Sequence, residues 1–179
     1  PHAEGPAERP LRTGWTTGAC AAAAAKAAYG ALLSGAFADP VRIRLPKGDL
    51  PEFALAERAL ATDSATAAVV KDAGDDPDVT HGALVRATVR PLPAGSGLRF
   101  AAGEGVGTVT KPGLPVPPGE PAINPKPREI IRANLMEVAD AHDAALDLAV
   151  EIAIPGGEAL AAKTWNPRLG IVGGLSVLG

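Results

Sequence analysis

The chain has 179 residues and a formal net charge of −3, so it is long enough to bury one sizeable core and lacks the basic excess typical of general nucleic-acid binding. Apolar residues make up 46% of the sequence but aromatic residues only 3%, which predicts a core of alanine and aliphatic side chains. No segment reaches the roughly 18 consecutive apolar residues that a membrane span needs. These features favour a cytoplasmic enzyme or binding domain.

The first predicted helix covers Ala21–Leu33, because alanine has the highest helix propensity and Thr16 or Thr17 can cap the N-terminus. The preceding residues, Pro1–Pro10, are polar and without periodicity, which predicts a flexible leader. Backbone N–H groups at the helix start, where Gly18 allows close approach, either bind a ligand carboxylate or phosphate or are satisfied by ordinary capping.

The single cysteine, Cys20, lies one turn into this helix. One cysteine excludes an internal disulfide framework and cannot by itself build a thiolate metal site. Its thiol is either reactive, with a pKa lowered by the helix start, or a small buried side chain on the alanine face.

Apolar runs bounded by glycine and proline predict five strands, at 41–45, 53–55, 65–70, 83–90 and 146–154. Gly30 and Gly35 are predicted to close the first helix. A second helix is predicted over Arg128–Ala139, with Pro127 in its first turn, and Glu158–Lys163 predicts one or two further helical turns. The first half of the chain is therefore predicted to form an antiparallel sheet with one helix.

The segment Lys71–Gly82, which we call the acidic loop, joins the third and fourth predicted strands. Its four carboxylates, those of Asp72, Asp75, Asp76 and Asp78, repel one another, and a cation, a proton or a polar ligand would offset that repulsion. The alternatives are a solvated hairpin loop and a loop that binds a hard metal ion. An EF-hand does not fit, because the glutamate that ends such a loop is missing.

The segment Gly103–Arg128, which we call the glycine–proline tract, begins with three glycines that let backbone amides approach a ligand: Gly103, Gly105 and Gly107. The phosphate-loop motif is missing, and the proline-rich remainder predicts a stiff loop over the surface or over a site. Arg128 lies at the predicted start of a helix, which is the unfavourable end for a cation. Two explanations are open: Arg128 binds an anionic partner, or it is exposed to solvent. We expect this tract and the acidic loop to lie side by side in one cleft.

Four tracts closely resemble the cobalt-precorrin-5B C1-methyltransferase family of the anaerobic cobalamin pathway: Thr13–Ala28 (TGWTTGACAAAAAKAA), Lys71–Gly82 (KDAGDDPDVTHG), Gly103–Ile131 (GEGVGTVTKPGL through GEPAINPKPREII) and Asn166–Gly179 (NPRLGIVGGLSVLG). The likeness extends in order from Leu11 to Gly179. Trp15 and Ala19 depart from it, since relatives often carry Tyr and Thr there. Family members are about twice as long, so we expect this chain to be the N-terminal part of a longer protein.

The resemblance implies transfer of a methyl group from S-adenosylmethionine to C1 of the corrin ring of cobalt-precorrin-5B. It implies an α+β domain over residues 11–179, with a mixed or antiparallel sheet and helices on one face, similar to the second domain of ribosomal protein S5. A Rossmann-like second half would be absent, so this part alone is expected to be inactive. Besides the substrate, other cobalamin-pathway enzymes and a second copy of the chain are candidate partners; nucleic acid, membranes and a resident metal are not expected.

Site residues follow from the chemistry that the resemblance implies. A corrin precursor carries many carboxylates, so its site should offer spaced cations and backbone donors. The candidate substrate-binding residues are Thr16, Thr17, Lys71, Lys111 and Arg128, with Arg168 as a further cation in the recognised tracts. The candidate catalytic groups, which would accept a ring proton or stabilise the sulfonium charge, are Asp72, Asp76 and His81. The candidate cofactor-binding residues are Gly103, Gly105 and Gly107.

Two other functions fit the sequence. The first is a non-catalytic module that binds tetrapyrroles or docks a partner, which predicts corrinoid binding without S-adenosylmethionine binding. The second is a magnesium-dependent phosphotransferase that uses Asp75, Asp76 and Asp78 around the metal and the glycines on phosphates, which predicts metal-dependent nucleotide binding.

Overall fold

The computed structural model describes residues 10–179. The predicted leader therefore lies outside the described residues, apart from Pro10. In chain order the elements are α1 (Thr17–Ser34), β1 (Val41–Arg42), β2 (Glu52–Phe53), β3 (Glu57–Leu60), β4 (Ala65–Val70), β5 (Leu84–Pro91), β6 (Leu98–Ala102), β7 (Thr108–Val109), α2 (Pro125–Ala141), β8 (Leu148–Ala153), α3 (Gly157–Ala161), α4 (Asn166–Leu169) and β9 (Ile171–Val172).

A mixed five-stranded sheet with the order β3-β4-β5-β8-β6 forms the centre of the fold. Neighbouring strands are antiparallel except β6 and β8, which run parallel. Strands β5 and β8 alternate in burial along most of their length, and Val69, Val85 and Val150 lie on the inner face of the sheet. On the outer face the hydroxyls of Thr66 and Thr88 lie 3.0 Å apart. The predicted α+β class is confirmed; the similarity to ribosomal protein S5 stays a prediction.

Helix α1 covers the inner face of the sheet and α2 packs on α1, so both long helices lie on the same face. Ala21 through Ala25 are fully buried, which leaves no face of this stretch exposed. A helix that is apolar all round is stable only when it is enclosed. The small alanine side chains let both the sheet and α2 approach α1 closely.

The ends of the predicted elements differ from the structure in a few places. Gly35 closes α1 in the left-handed conformation with φ +83°, but Gly30 lies inside the helix. Helix α2 begins three residues before the predicted start because Pro125, the first helical residue, needs no N–H partner there. The strand predicted at 41–45 is regular only over Val41–Arg42, and the N–H groups of Ile43 and Leu45 then donate to the carbonyls of Pro51 and Asp49 in the turn.

The residues after α3 form a strip that we call the C-terminal segment (Thr164–Gly179). Strand β9 in this segment pairs antiparallel with β7 of the glycine–proline tract. Further along, Leu175 and Val177 form isolated bridges with Val106 and Ile123. The carbonyl of Leu178 then accepts a 2.8 Å hydrogen bond from the N–H of Gly18 at the start of α1. The C-terminal segment therefore connects the glycine–proline tract with the start of α1.

Candidate functional site

The chain that leads into α1 pairs with the acidic loop. Thr13 and Gly74 form an isolated antiparallel bridge, and the N–H of Trp15 donates to the carbonyl of Asp72 over 2.8 Å. A Cβ on Gly14 would overlap the backbone of Gly74, so the two backbones touch where neither residue has a side chain. This contact places the start of α1 directly beside the acidic loop.

Two of the four loop carboxylates take part in this pairing. Asp72 forms an ion pair with the guanidinium of Arg12, and it also accepts the N–H of Gly74. The hydrogen bond from Arg12, followed by the one from Gly74, lowers the pKa of Asp72. Asp75 accepts the backbone N–H of Arg12. These contacts offset the charge repulsion predicted for the loop, so its acidity is partly structural.

A third carboxylate, that of Asp78, binds a buried lysine. The ammonium of Lys71 lies 2.7 Å from Oδ2 of Asp78 and also donates to the hydroxyl of Thr80. The side chain of Lys71 is only 5% exposed, whereas that of Asp78 is 34% exposed. Although burial raises the pKa of Asp78, the hydrogen bonds from Lys71 and Thr80 outweigh it and hold the pKa at about 2.

We expect the stability that Asp78 contributes to be lost as the pH falls from about 4 toward 2. Its pKa is about 2 in the folded chain against an ordinary 3.8, so the unfolded chain binds the proton more readily and acid favours unfolding. Urea unfolding of the parent and of Asp78→Asn at pH 7 and near pH 2 checks this. The variant should be less stable at pH 7, and the difference should shrink at low pH. A pH-independent difference would contradict this role for the pair.

The fourth carboxylate, that of Asp76, differs from the others. Within residues 10–179, no cation lies within ion-pair distance of it. His81, the other predicted catalytic group, is half exposed, and its Nδ1 accepts the N–H of Ala73 over 3.0 Å. Neither His81 nor Asp72 lines the cleft that contains Asp76. Among the three predicted catalytic groups, Asp76 is therefore the one that lines a cleft and has no ion-pair partner within residues 10–179.

This cleft, which we call the main cleft, has a volume of about 550 Å³. It is lined by the start of α1, the acidic loop and the C-terminal segment: residues 14–17, 71, 73, 76, 78–80, 164–166, 169, 175, 176, 178 and 179. Of the predicted residues, Thr16, Thr17, Lys71 and Asp76 are brought together here. Of the residues that the structure describes, none from the glycine–proline tract lines it, so the acidic loop shares its cleft with the C-terminal segment instead.

The start of α1 is closed by capping. The hydroxyl of Thr16 accepts the N–H of Ala19, and the N–H of Gly18 donates to the carbonyl of Leu178. Two backbone N–H groups that could have bound an anion at this helix start are therefore already bonded within the chain. Thr17 is 5% exposed and lines the cleft, and no hydrogen bond to its hydroxyl is formed by the described part of the chain.

The three glycines predicted to bind a cofactor are in contact with the protein's own chain. Gly105 has φ +75°, and a Cβ there would overlap the carbonyl oxygen of Ile154. A Cβ on Gly103 would lie 2.8 Å from Oε1 of Glu151, and one on Gly107 would lie 2.8 Å from the carbonyl oxygen of Gly174. The absence of side chains at these three positions is therefore explained by close packing against the protein's own backbone and side chains.

Two of the predicted substrate-binding cations, Lys111 and Arg128, lie outside the main cleft. The side chain of Lys111 covers Gly170. Arg128 donates to the carbonyls of Ile123 and Pro121 over 2.6 and 3.0 Å, and its guanidinium lies 5.3 Å from the ring centroid of Phe100. These internal contacts explain a cation at a helix start without an external anion.

Two remaining sequence alternatives concern Cys20 and metals. Cys20 is buried, and desolvation raises its pKa to about 12, so the thiol is protonated and structural.

In residues 10–179 no three His, Cys, Asp or Glu side chains are placed to share a metal ion. Asp75 accepts a hydrogen bond from Arg12 and Asp78 one from Lys71, so two of the three carboxylates that a magnesium phosphotransferase would use are already engaged. No helix in the described part of the chain is long and apolar enough to cross a membrane.

A sequence model of the CbiD family matches residues 4–179. The chain belongs to the CbiD family. It is 63% identical over 174 residues to the cobalt-precorrin-5B C(1)-methyltransferase of Bradyrhizobium sp. (strain BTAi1). The aligned region covers 97% of this chain and 46% of that protein. The chain is 59% identical over 169 residues to the protein of the same name from Brucella anthropi, which covers 94% and 46%. The resemblance seen in the four tracts is confirmed.

The CbiD family also has a solved structure similar to this chain. It is the 1.9 Å crystal structure of the cobalamin biosynthesis protein CbiD from Archaeoglobus fulgidus, with a TM-score of 0.72 and 33% identity. The match covers 94% of this chain and 52% of that one. The chain therefore spans about half the length of the curated CbiD relatives that it matches.

Several lining residues of the cleft in this CbiD family member were missed by sequence reasoning. Trp165 is 69% exposed at the cleft and lies under the guanidinium of Arg168, 5.1 Å from ring centroid to Cζ. Leu178 and Val79 are exposed lining residues as well, at 54% and 47%. The available signal was the tryptophan itself, since the chain has only two and exposed aromatic residues often mark binding surfaces.

Proposed function

We propose that the complete protein is an S-adenosylmethionine-dependent methyltransferase that acts on C1 of the corrin ring of cobalt-precorrin-5B in anaerobic cobalamin biosynthesis. The proposal rests on the 63% identity to a relative named for that reaction, which spans nearly all of this chain. Such a biosynthetic role fits a cytoplasmic protein. The present residues would supply the main cleft as one part of the active site.

The reaction requires alignment more than covalent chemistry. The ring carbon donates an electron pair to the methyl carbon, a C–C bond forms and the C–S bond breaks with its electron pair on sulfur. Neutral S-adenosylhomocysteine leaves, and the ring system releases one proton. Holding the ring carbon in line with the sulfonium methyl can lower the barrier by about 7–11 kcal/mol.

The charge of the main cleft supports a role for Asp76 in this reaction. The lysine of the Lys71–Asp78 pair is neutralised, which leaves Asp76 with a net negative charge facing the cleft. A negative charge there stabilises the sulfonium of the donor or accepts the proton that the ring releases. This negative charge would repel the carboxylates of a polyanionic substrate, so they must be bound elsewhere.

The test is methyl transfer by the complete protein, with labelled S-adenosylmethionine and cobalt-precorrin-5B as substrates. Asp76→Asn should lower kcat by about 100-fold or more, because an oriented charge at the reacting centre is lost. Asp63→Asn is the matched control, since Asp63 is an exposed carboxylate outside the main cleft. Equal rates for the parent and Asp76→Asn would remove Asp76 from the reaction.

The same experiment separates the second candidate, a non-catalytic tetrapyrrole-binding module. That module is favoured by the exposed apolar side chains at the main cleft, which suit the flat face of a macrocycle. It predicts corrinoid binding by the complete protein with no binding of S-adenosylmethionine and no turnover. Measurable methyl transfer would exclude it.

A further inference from the structure

A second, smaller cleft adjoins the main cleft and carries the opposite charge. It has a volume of about 210 Å³ and is lined by Lys47, Lys126 and Asp49 together with apolar residues. Its net charge from these side chains is +1, from two lysines and one aspartate. We call it the lysine cleft.

The two clefts share one wall. Gly14, Trp15, Thr16 and Gly179 line both of them. This wall consists of residues 14–16, which precede α1 and pair with the acidic loop, together with Gly179 of the C-terminal segment. A ligand larger than either cleft would meet a negative charge on one side of this wall and positive charges on the other.

The cations at the lysine cleft are not engaged elsewhere. Over residues 10–179, Lys47 and Lys126 form no ion pair, whereas Lys71 and Arg128 are held by Asp78 and by backbone carbonyls. Lys126 also lies in the first turn of α2, which has no acidic residue to offset the helix dipole. A bound anion would relieve that unfavourable placement.

We propose that Lys47 and Lys126 bind side-chain carboxylates of the tetrapyrrole substrate, while its reacting carbon faces the main cleft across the shared wall. This inference rests on the proposed function, which makes the substrate a polycarboxylate. The main cleft has a net negative charge and repels such groups, so recognition of carboxylates falls to the lysine cleft. Lysine binds them as a point charge, with affinity that depends on salt.

The test is an absorbance titration of the complete protein with cobyrinic acid, a stable cobalt corrinoid with free carboxyl groups, and with its methyl ester, in which those groups are blocked. The double variant Lys47→Ala/Lys126→Ala should bind the acid about tenfold or more weakly and show a smaller salt dependence. Binding of the ester should not change. Lys47→Arg/Lys126→Arg should retain most of the affinity for the acid.

Lys163→Ala is the matched control, because Lys163 is exposed and lines neither cleft. Circular dichroism confirms folding of each variant. Equal affinities of the parent and the double alanine variant for the acid, or no binding of the acid by the parent, would overturn the lysine site. Absence of methyl transfer by the complete protein would instead overturn the proposed function, so the two failures are distinguishable.

Discussion

Gly105→Ala should destabilise the chain by about 3–5 kcal/mol. Two physical effects add at this position. The backbone has φ +75°, which disfavours any residue with a Cβ, and the new methyl group would overlap the carbonyl oxygen of Ile154. The carbonyl of Gly105 also accepts the N–H of Leu175 over 2.8 Å, so a displaced backbone would weaken the attachment of the C-terminal segment. Urea unfolding monitored by circular dichroism measures the change in free energy of unfolding.

Two control variants separate these effects. Gly113→Ala has a similar backbone constraint, φ +101°, but nothing within 4 Å of the new Cβ, so it should cost only about 1–2 kcal/mol. Gly30→Ala lies inside α1 with open space around it and should be neutral or stabilising by up to about 1 kcal/mol. If Gly105→Ala unfolds at the same urea concentration as Gly113→Ala, the overlap with Ile154 is not present in solution.

Residues 1–179 alone should fold cooperatively yet transfer methyl groups at less than about 1% of the rate of a complete relative. Folding is expected because α1, the sheet and α2 enclose one continuous apolar core. Loss of turnover is expected because the chain spans less than half of its curated relatives, and because Trp165 and Leu178 leave the main cleft with exposed apolar walls. A barrier that depends on alignment rises steeply when part of the site is missing.

The measurement is transfer of label from S-adenosylmethionine to cobalt-precorrin-5B by this chain, with the Bradyrhizobium relative as the positive control. Thermal unfolding of the same sample shows whether the chain is folded. Turnover comparable to the control would place the donor site within these residues, and the account of an active site shared with a second half would have to be abandoned.

Much of the fold could be predicted because its elements are set by local patterns. Alanine content predicted α1, and the apolar run before the acidic loop and the alternating run after it predicted the two strands, β4 and β5, that the loop joins. Helical spacing after Pro127 predicted α2. The parallel pairing of β6 with β8 did not follow from any local pattern, since it joins strands about fifty residues apart.

The candidate site was predicted only in part. Thr16, Thr17, Lys71 and Asp76 were predicted separately as site residues, and they line one cleft because two of the recognised tracts meet through the Gly14–Gly74 contact. The sequence did not predict that the C-terminal segment lines the main cleft. The position of this segment depends on hydrogen bonds of Gly105 and Gly18 to residues seventy or more positions away.

The sequence by itself determined the family, the class of fold and the residues that carry charge, since each depends on which side chains occur and how they are spaced. Only the tertiary structure decided which charges are neutralised. Arg12 and Asp72 are 60 positions apart, and their pairing follows from the backbone contact at Gly14, which no spacing reveals. Asp76 and the two lysines at 47 and 126 have no such partner within the described residues. Their charges therefore remain available for ligands, because electrostatic pairing depends on distance in space rather than along the chain.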